Sequence, residues 1–98
     1  MKFRLQISLQ PVLTPLIMYL EILTPDQKVF SGEITSVQVP GVAGRFEVLP
    51  KHAAIISTLE KGDVTIRLAK EEKVFKIDSG VVEVLHDKVI VLAESILA

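Results

Sequence analysis

Ninety-eight residues (10.8 kDa) fit one domain and leave no room for a second, and 49% hydrophobic residues with a mean hydropathy of +0.45 exclude an intrinsically disordered chain. Eleven Lys and Arg against twelve Asp and Glu give a net charge of -1, without the basic excess that neutralising a phosphate backbone requires, so nucleic acid is not an expected partner. With no Cys, disulfide frameworks, thiolate metal sites and sulfur redox chemistry are all out. Val, Ile and Thr make up 28 of the 98 residues, a β-branched weight that packs better on a pleated surface than in a helix.

From Lys2 to Gln10 the chain alternates, with Phe3, Leu5, Ile7 and Leu9 on one side and Lys2, Arg4, Gln6, Ser8 and Gln10 on the other. This predicts an extended strand stopped by Pro11 and Pro15. The polar interruptions argue against a signal peptide. Residues 1–17 are read as a leader, either an added strand or a flexible segment, with the working domain spanning 18–98 and Met18 as a second possible start. The apolar run Leu16–Leu20 is far too short to cross a bilayer, so no direct membrane insertion is expected.

Short apolar runs then follow one another between turn residues. Tyr19–Leu23 is a strand closed by Thr24-Pro25-Asp26-Gln27, and Lys28–Phe30 leads to Ser31-Gly32-Glu33. Thr35, Val37 and Val39 share one strand face, and Pro40-Gly41-Val42-Ala43-Gly44 breaks the chain. Arg45–Leu49 and Ala54–Leu59 are further strands, the second being less distinct from a helical turn because its apolar run is unbroken. Lys61-Gly62-Asp63 is expected to turn the chain, Val64–Ala69 alternates clearly, and Lys70–Lys73 is a hairpin tip before Val74–Ile77. Val81–Leu85 and Val89–Ala93 flank a short His86-Asp87-Lys88 loop, suited to an antiparallel hairpin. Strands at this spacing, with no helical pattern between them, predict an all-β sandwich or barrel.

Chemistry-bearing patterns are sparse. His52 and His86 lie 34 positions apart, and even with Glu83 or Asp87 they match no zinc spacing, so no metal is expected. Gly41–Arg45 lacks the Lys-Ser/Thr ending and the following helix of a phosphate loop, and no Ser sits in a nucleophile elbow. Glu71 and Glu72 belong to a charged run that reads as a solvated tip. These residues point to a binding or structural domain with no catalytic residues and no cofactor.

Val37-Gln38-Val39-Pro40-Gly41 followed by Gly44-Arg45-Phe46-Glu47-Val48-Leu49-Pro50-Lys51-His52-Ala53 resembles the VQ-PG-x-x-G-x-F-x-VLP-x-HA block of the epsilon subunit of F-type ATP synthase. Phe30–Glu33, Lys61-Gly62, Ser79–Val84 and Val89–Glu94 resemble further segments of that family in the same order, so that the resemblance covers residues 18–96. It implies a flattened two-sheet antiparallel β-sandwich, a non-catalytic rotor subunit of a proton-translocating complex, with the gamma subunit and the c-subunit ring as partners. The location implied is cytoplasmic and peripheral, on the inner face of the energy-transducing membrane. The resemblance places Gly41, Gly44, Arg45, Pro50, His52 and Ala53 at a ring-facing end, and Thr24, Asp63, Lys76 and Ile90 on a gamma-facing strand face. Arg45 stands where relatives often carry an acid, and Lys51 stands where a glycine is common. A chain ending at Ala98 is also expected to lack the helical hairpin with which relatives inhibit ATP hydrolysis. A free-standing β-sandwich adaptor is the alternative, and a ligand-binding or hydrolytic domain would need convergent polar groups in a pocket.

Overall fold

Side chains alternate between the two faces of an extended chain, so a segment such as Val64-Thr65-Ile66-Arg67 can bury only one of them. The structure, a computed structural model, describes residues 17–97, and there these segments form ten strands and no helix. They are β1 (Met18–Leu23), β2 (Lys28–Ile34), β3 (Ser36–Val39), β4 (Phe46–Val48), β5 (Ile55–Leu59), β6 (Gly62–Arg67), β7 (Glu72–Ile77), β8 (Gly80–Leu85), β9 (Lys88–Ala93) and β10 (Ile96–Leu97). The first sheet has the order β2-β1-β9-β8-β5 and the second β10-β7-β6-β3-β4. The leader strand expected over Lys2–Gln10, and the 1–17 boundary apart from Ile17, lie outside the described residues.

The core lies between the sheets and is almost wholly aliphatic. Leu20, Ile22, Val82, Val84, Val89 and Val91 of the first sheet face Val37, Val39, Val48, Val64, Ile66 and Ile77 of the second, all at most 1% exposed. Phe30, Phe46 and Phe75 pack against this cluster while remaining partly exposed. The two-sheet sandwich is the architecture expected, and it is antiparallel except where β1 pairs β9 in parallel. That pair joins strands remote in sequence, so no hairpin dictates its direction.

Several boundaries differ from the sequence reading. β2 runs straight through Ser31-Gly32-Glu33, because Gly32 faces the core where Phe30 fills the space beside it. Thr35 is the corner at which the chain leaves the first sheet for the second, with its N–H donating to Arg67 O at 2.9 Å. Gly62 and Asp63 begin β6 instead of turning the chain. A Cβ on Gly62 would come within 2.8 Å of the Pro40 ring, so packing explains this glycine. Glu72 and Lys73 extend β7, and the hairpin tip is Leu68–Glu71, closed by the Leu68 N–H to Glu71 O bond of 2.8 Å.

The β8–β9 hairpin turns on two residues. His86 and Asp87 both have positive φ (50° and 60°), the geometry of a type I′ turn whose twist suits the strands it joins. Lys88, expected in the loop, already pairs with Leu85. Two crossings between the sheets run side by side, Asp78-Ser79 and Glu94-Ser95. Asp78 ties them together by accepting the Ser95 N–H at 3.1 Å, while Glu94 N–H donates to Ser79 O at 3.0 Å.

Candidate interaction surfaces

The loop after β3 is a rigid projection. Gly41 bridges to Leu59 at the end of β5, Val42 N–H donates to Thr58 O (3.0 Å), Glu60 N–H to Pro40 O (2.8 Å) and Gly44 N–H to Gly41 O (2.9 Å). A Cβ on Gly41 would stand 2.6 Å from Gly44 O and 2.9 Å from the Phe46 ring, so only glycine lets the loop close. Arg45 staples the loop to β6, its guanidinium donating to Asp63 O at 2.6 Å and to Thr65 Oγ1 at 3.0 Å.

Pro50 and Lys51 form the centre of a second turn, closed by His52 N–H to Leu49 O at 3.1 Å. Proline presets φ at the first central position, and Lys51 takes φ 73° at the second, where glycine is favoured. Its N–H donates to Asp87 Oδ1 at 2.6 Å, which locks this turn to the β8–β9 hairpin, and the His52 ring donates from Nδ1 to Ala53 O at 2.7 Å. The fold thus brings His52, His86 and Asp87 to one depression, although no three His, Asp or Glu among the described residues converge as metal ligands.

These two loops lie at opposite ends of β5. Gly41 meets Leu59, whereas Ala53 and Ala54 lead into Ile55, about 14 Å away along a strand of this length. The structure therefore brings Gly41, Gly44 and Arg45 together at one end and Pro50, His52 and Ala53 at the other. The four residues assigned to a gamma-facing face are also divided. Asp63 and Lys76 are cross-strand partners on the outer face of the second sheet, whereas Ile90 lies on the outer face of the first and Thr24 at its margin.

The two outer faces differ in chemistry. On the second sheet Arg67 Nη2 meets Glu72 Oε2 at 3.1 Å, Lys76 Nζ lies 3.7 Å from Asp63 Oδ1, and Arg45 binds Thr65. Its charged groups pair with one another, as on a solvated sheet face, although Asp63 Oδ1 is buried and meets Lys76 without a hydrogen bond. The first sheet is apolar instead, with Tyr19, Leu85, Leu92 and Ile56 exposed at 39%, 48%, 51% and 73%. Register places them in adjacent rows: Thr58, Val81, Leu92 and Leu23 in one, Ile56, Glu83, Ile90 and Glu21 in the next, and Leu85, Lys88 and Tyr19 in the third. At one corner this face dips into an open groove of about 510 Å³ walled by Leu23, Thr24, Pro25, Val81 and Leu92. Among the described residues Glu94 is the sole titratable one lining it, so they form no acid and base pair there.

Sequence reasoning did not single out Tyr19, Ile56, Leu85 or Leu92. The signal was present in the unbroken runs Ile55-Ile56 and Val89-Ile90-Val91-Leu92, where alternation fails because both sheet faces are apolar.

Comparison with known proteins agrees with this architecture. The family model described as the beta-sandwich domain of the ATP synthase delta/epsilon chain matches residues 17–98. The ATP synthase epsilon chain of Chlorobium limicola is 41% identical over 79% of this chain and 89% of its own length. That of Caulobacter vibrioides is 38% identical, with 79% and 90% covered. That of Campylobacter hominis is 40% identical over 78% of this chain, which spans only 60% of that longer relative. Among solved structures, a chain of the Euglena gracilis mitochondrial ATP synthase OSCP/F1/c-ring assembly superposes with a TM-score of 0.79 at 15% identity, covering 85% of this chain and 54% of that one. A chain of the Tetrahymena thermophila mitochondrial ATP synthase central stalk and c-ring gives 0.71 at 17%, covering 82% and 65%. At such identities these two likenesses speak to the fold. The family match and the level of identity to the epsilon chains show that this chain belongs to the ATP synthase delta/epsilon β-sandwich family.

Proposed function

We propose that the chain is a non-catalytic central-stalk subunit of a proton-translocating F-type ATP synthase, joining the gamma subunit to the ring of c subunits at the inner face of the energy-transducing membrane. The observation that carries this reading is the contrast between the two outer faces in a chain of this family. The first sheet offers an apolar surface of Tyr19, Ile56, Leu85, Ile90 and Leu92, interrupted by Glu83 and Lys88, while the second is occupied largely by its own ion pairs. Gamma docks on the first sheet, which includes Ile90 and has Thr24 at its groove. Asp63 and Lys76 then lie on the far side and serve the sandwich itself.

The ring contact falls to the end carrying Gly41, Gly44 and Arg45. Its backbone bonds to β5 and its Arg45 staple to β6 make it a stiff projection, the property that passing torque between two partners demands. Pro50, His52 and Ala53 point the other way. The chain should co-purify with its cognate gamma subunit, and a cysteine at position 45 should crosslink to the ring in the assembled complex while one at position 52 does not. A crosslink from 52 alone would invert the assignment of ends, and failure to co-purify with gamma would refute the function.

A further inference from the structure

The apolar face of the first sheet carries, in its interior, a charge that no ion pair among the described residues answers. One row across the sheet reads Ser31, Glu21, Ile90, Glu83, Ile56, with neighbours directly opposite one another on adjacent strands. Lys28 Nζ lies 3.6 Å from Glu21 Oε2, and Lys88 Nζ stands over the Tyr19 ring, 6.0 Å from its centroid. Glu83 is in no ion pair among the described residues, although it sits inside the sheet between two isoleucines. Glu33 also lacks one, but it lies on the edge strand β2, where solvent remains.

A partner covering Ile56, Ile90 and Leu85 strips water from the Glu83 carboxylate. Burying an ionised carboxylate without compensation is so costly that the covering surface has to supply a donor, and a cationic one answers the charge as well. A second copy of this chain could answer Glu83 only with its own Lys28 or Lys88, and these already face Glu21 and the Tyr19 ring within one chain. We propose that Glu83 receives a lysine or arginine of the partner subunit within an otherwise apolar contact, and thereby selects which partner the face accepts. This rests on the reading of the first sheet as the gamma-docking face.

The test is the affinity of the full chain for its cognate gamma subunit, measured from about 50 to about 400 mM salt, a range over which exposed charge pairs are increasingly screened. Glu83→Gln should weaken binding about 30-fold at low salt and flatten the salt dependence, and Glu83→Lys should weaken it further. Both variants should fold normally, because Glu83 is exposed in the free chain. Glu33→Gln should change affinity by less than about threefold. If Glu83→Gln binds within about twofold of the parent chain while Leu92→Asp abolishes binding, the docking face stands and the charge pair is overturned. If neither change matters, both the face and the pair are wrong.

Discussion

Of the five glycines Gly80 leaves the least room for a Cβ, and replacing it tests the register of β8 and β9. A Cβ there would lie 2.4 Å from Leu92 O, 3.1 Å from Ala93 Cα and 3.2 Å from Leu92 C. Ordinary carbon to oxygen contacts begin near about 3.3 Å, so Gly80→Ala creates an overlap of about 0.9 Å against backbone that no rotamer can relieve. The strands must part at the Gly80–Ala93 pair, which loosens the adjacent Glu94 N–H to Ser79 O bond. Overpacking costs about 1–3 kcal/mol and the weakened hydrogen bond about 1, while the stiffer unfolded chain returns about 0.4–1. A net loss of about 2 kcal/mol lowers the melting temperature of a domain this size by about 8–16 °C. Thermal unfolding followed by circular dichroism measures this directly. Gly32→Ala is the matched control, since its Cβ would meet only the Phe30 ring at 3.5 Å and should leave stability unchanged or slightly raised. Equal melting temperatures for the two variants would refute the strand register and packing described for β8 and β9.

Two further substitutions bear on the turn that ends β4. Lys51 occupies a left-handed conformation suited to glycine, so Lys51→Gly should stabilise the domain by about 0.5–1 kcal/mol in urea titration, the relief of strain exceeding the added chain entropy. Asp87→Ala removes the carboxylate that accepts the Lys51 N–H and places alanine at φ 60°, so it should cost about 1–2 kcal/mol and speed amide exchange at Lys51 without affecting Leu59.

The strands themselves could be read from the chain. Val64 to Arg67 and Val37 to Val39 alternate in the way a half-buried surface demands, and their buried partners match. Placement was harder. Pro and Gly content marks Gly41 and Pro50 alike as turn residues, but which end of the sandwich each occupies depends on the direction of β5, which lies between the loops in space and after both in sequence. Likewise Lys76 and Ile90 look equivalent as outward strand residues, and only the pairing of β7 with β6 and of β9 with β1 sets them on different sheets. Long-range pairing leaves no mark in local periodicity. The family resemblance chose the sandwich over the barrel that strand spacing left open, whereas the apolar outer face of the first sheet emerged once the register was known.

The central claim, that the first sheet and not the second meets gamma, is tested most directly by two matched substitutions. Leu92 and Val74 are exposed to nearly the same extent, 51% and 55%, on the outer faces of opposite sheets. Titration of the cognate gamma subunit by calorimetry should find Leu92→Asp weakened by about 100-fold or more, as expected for a charge forced into an apolar contact, and Val74→Asp unchanged. Loss of binding on Val74→Asp with Leu92→Asp unaffected would contradict the account.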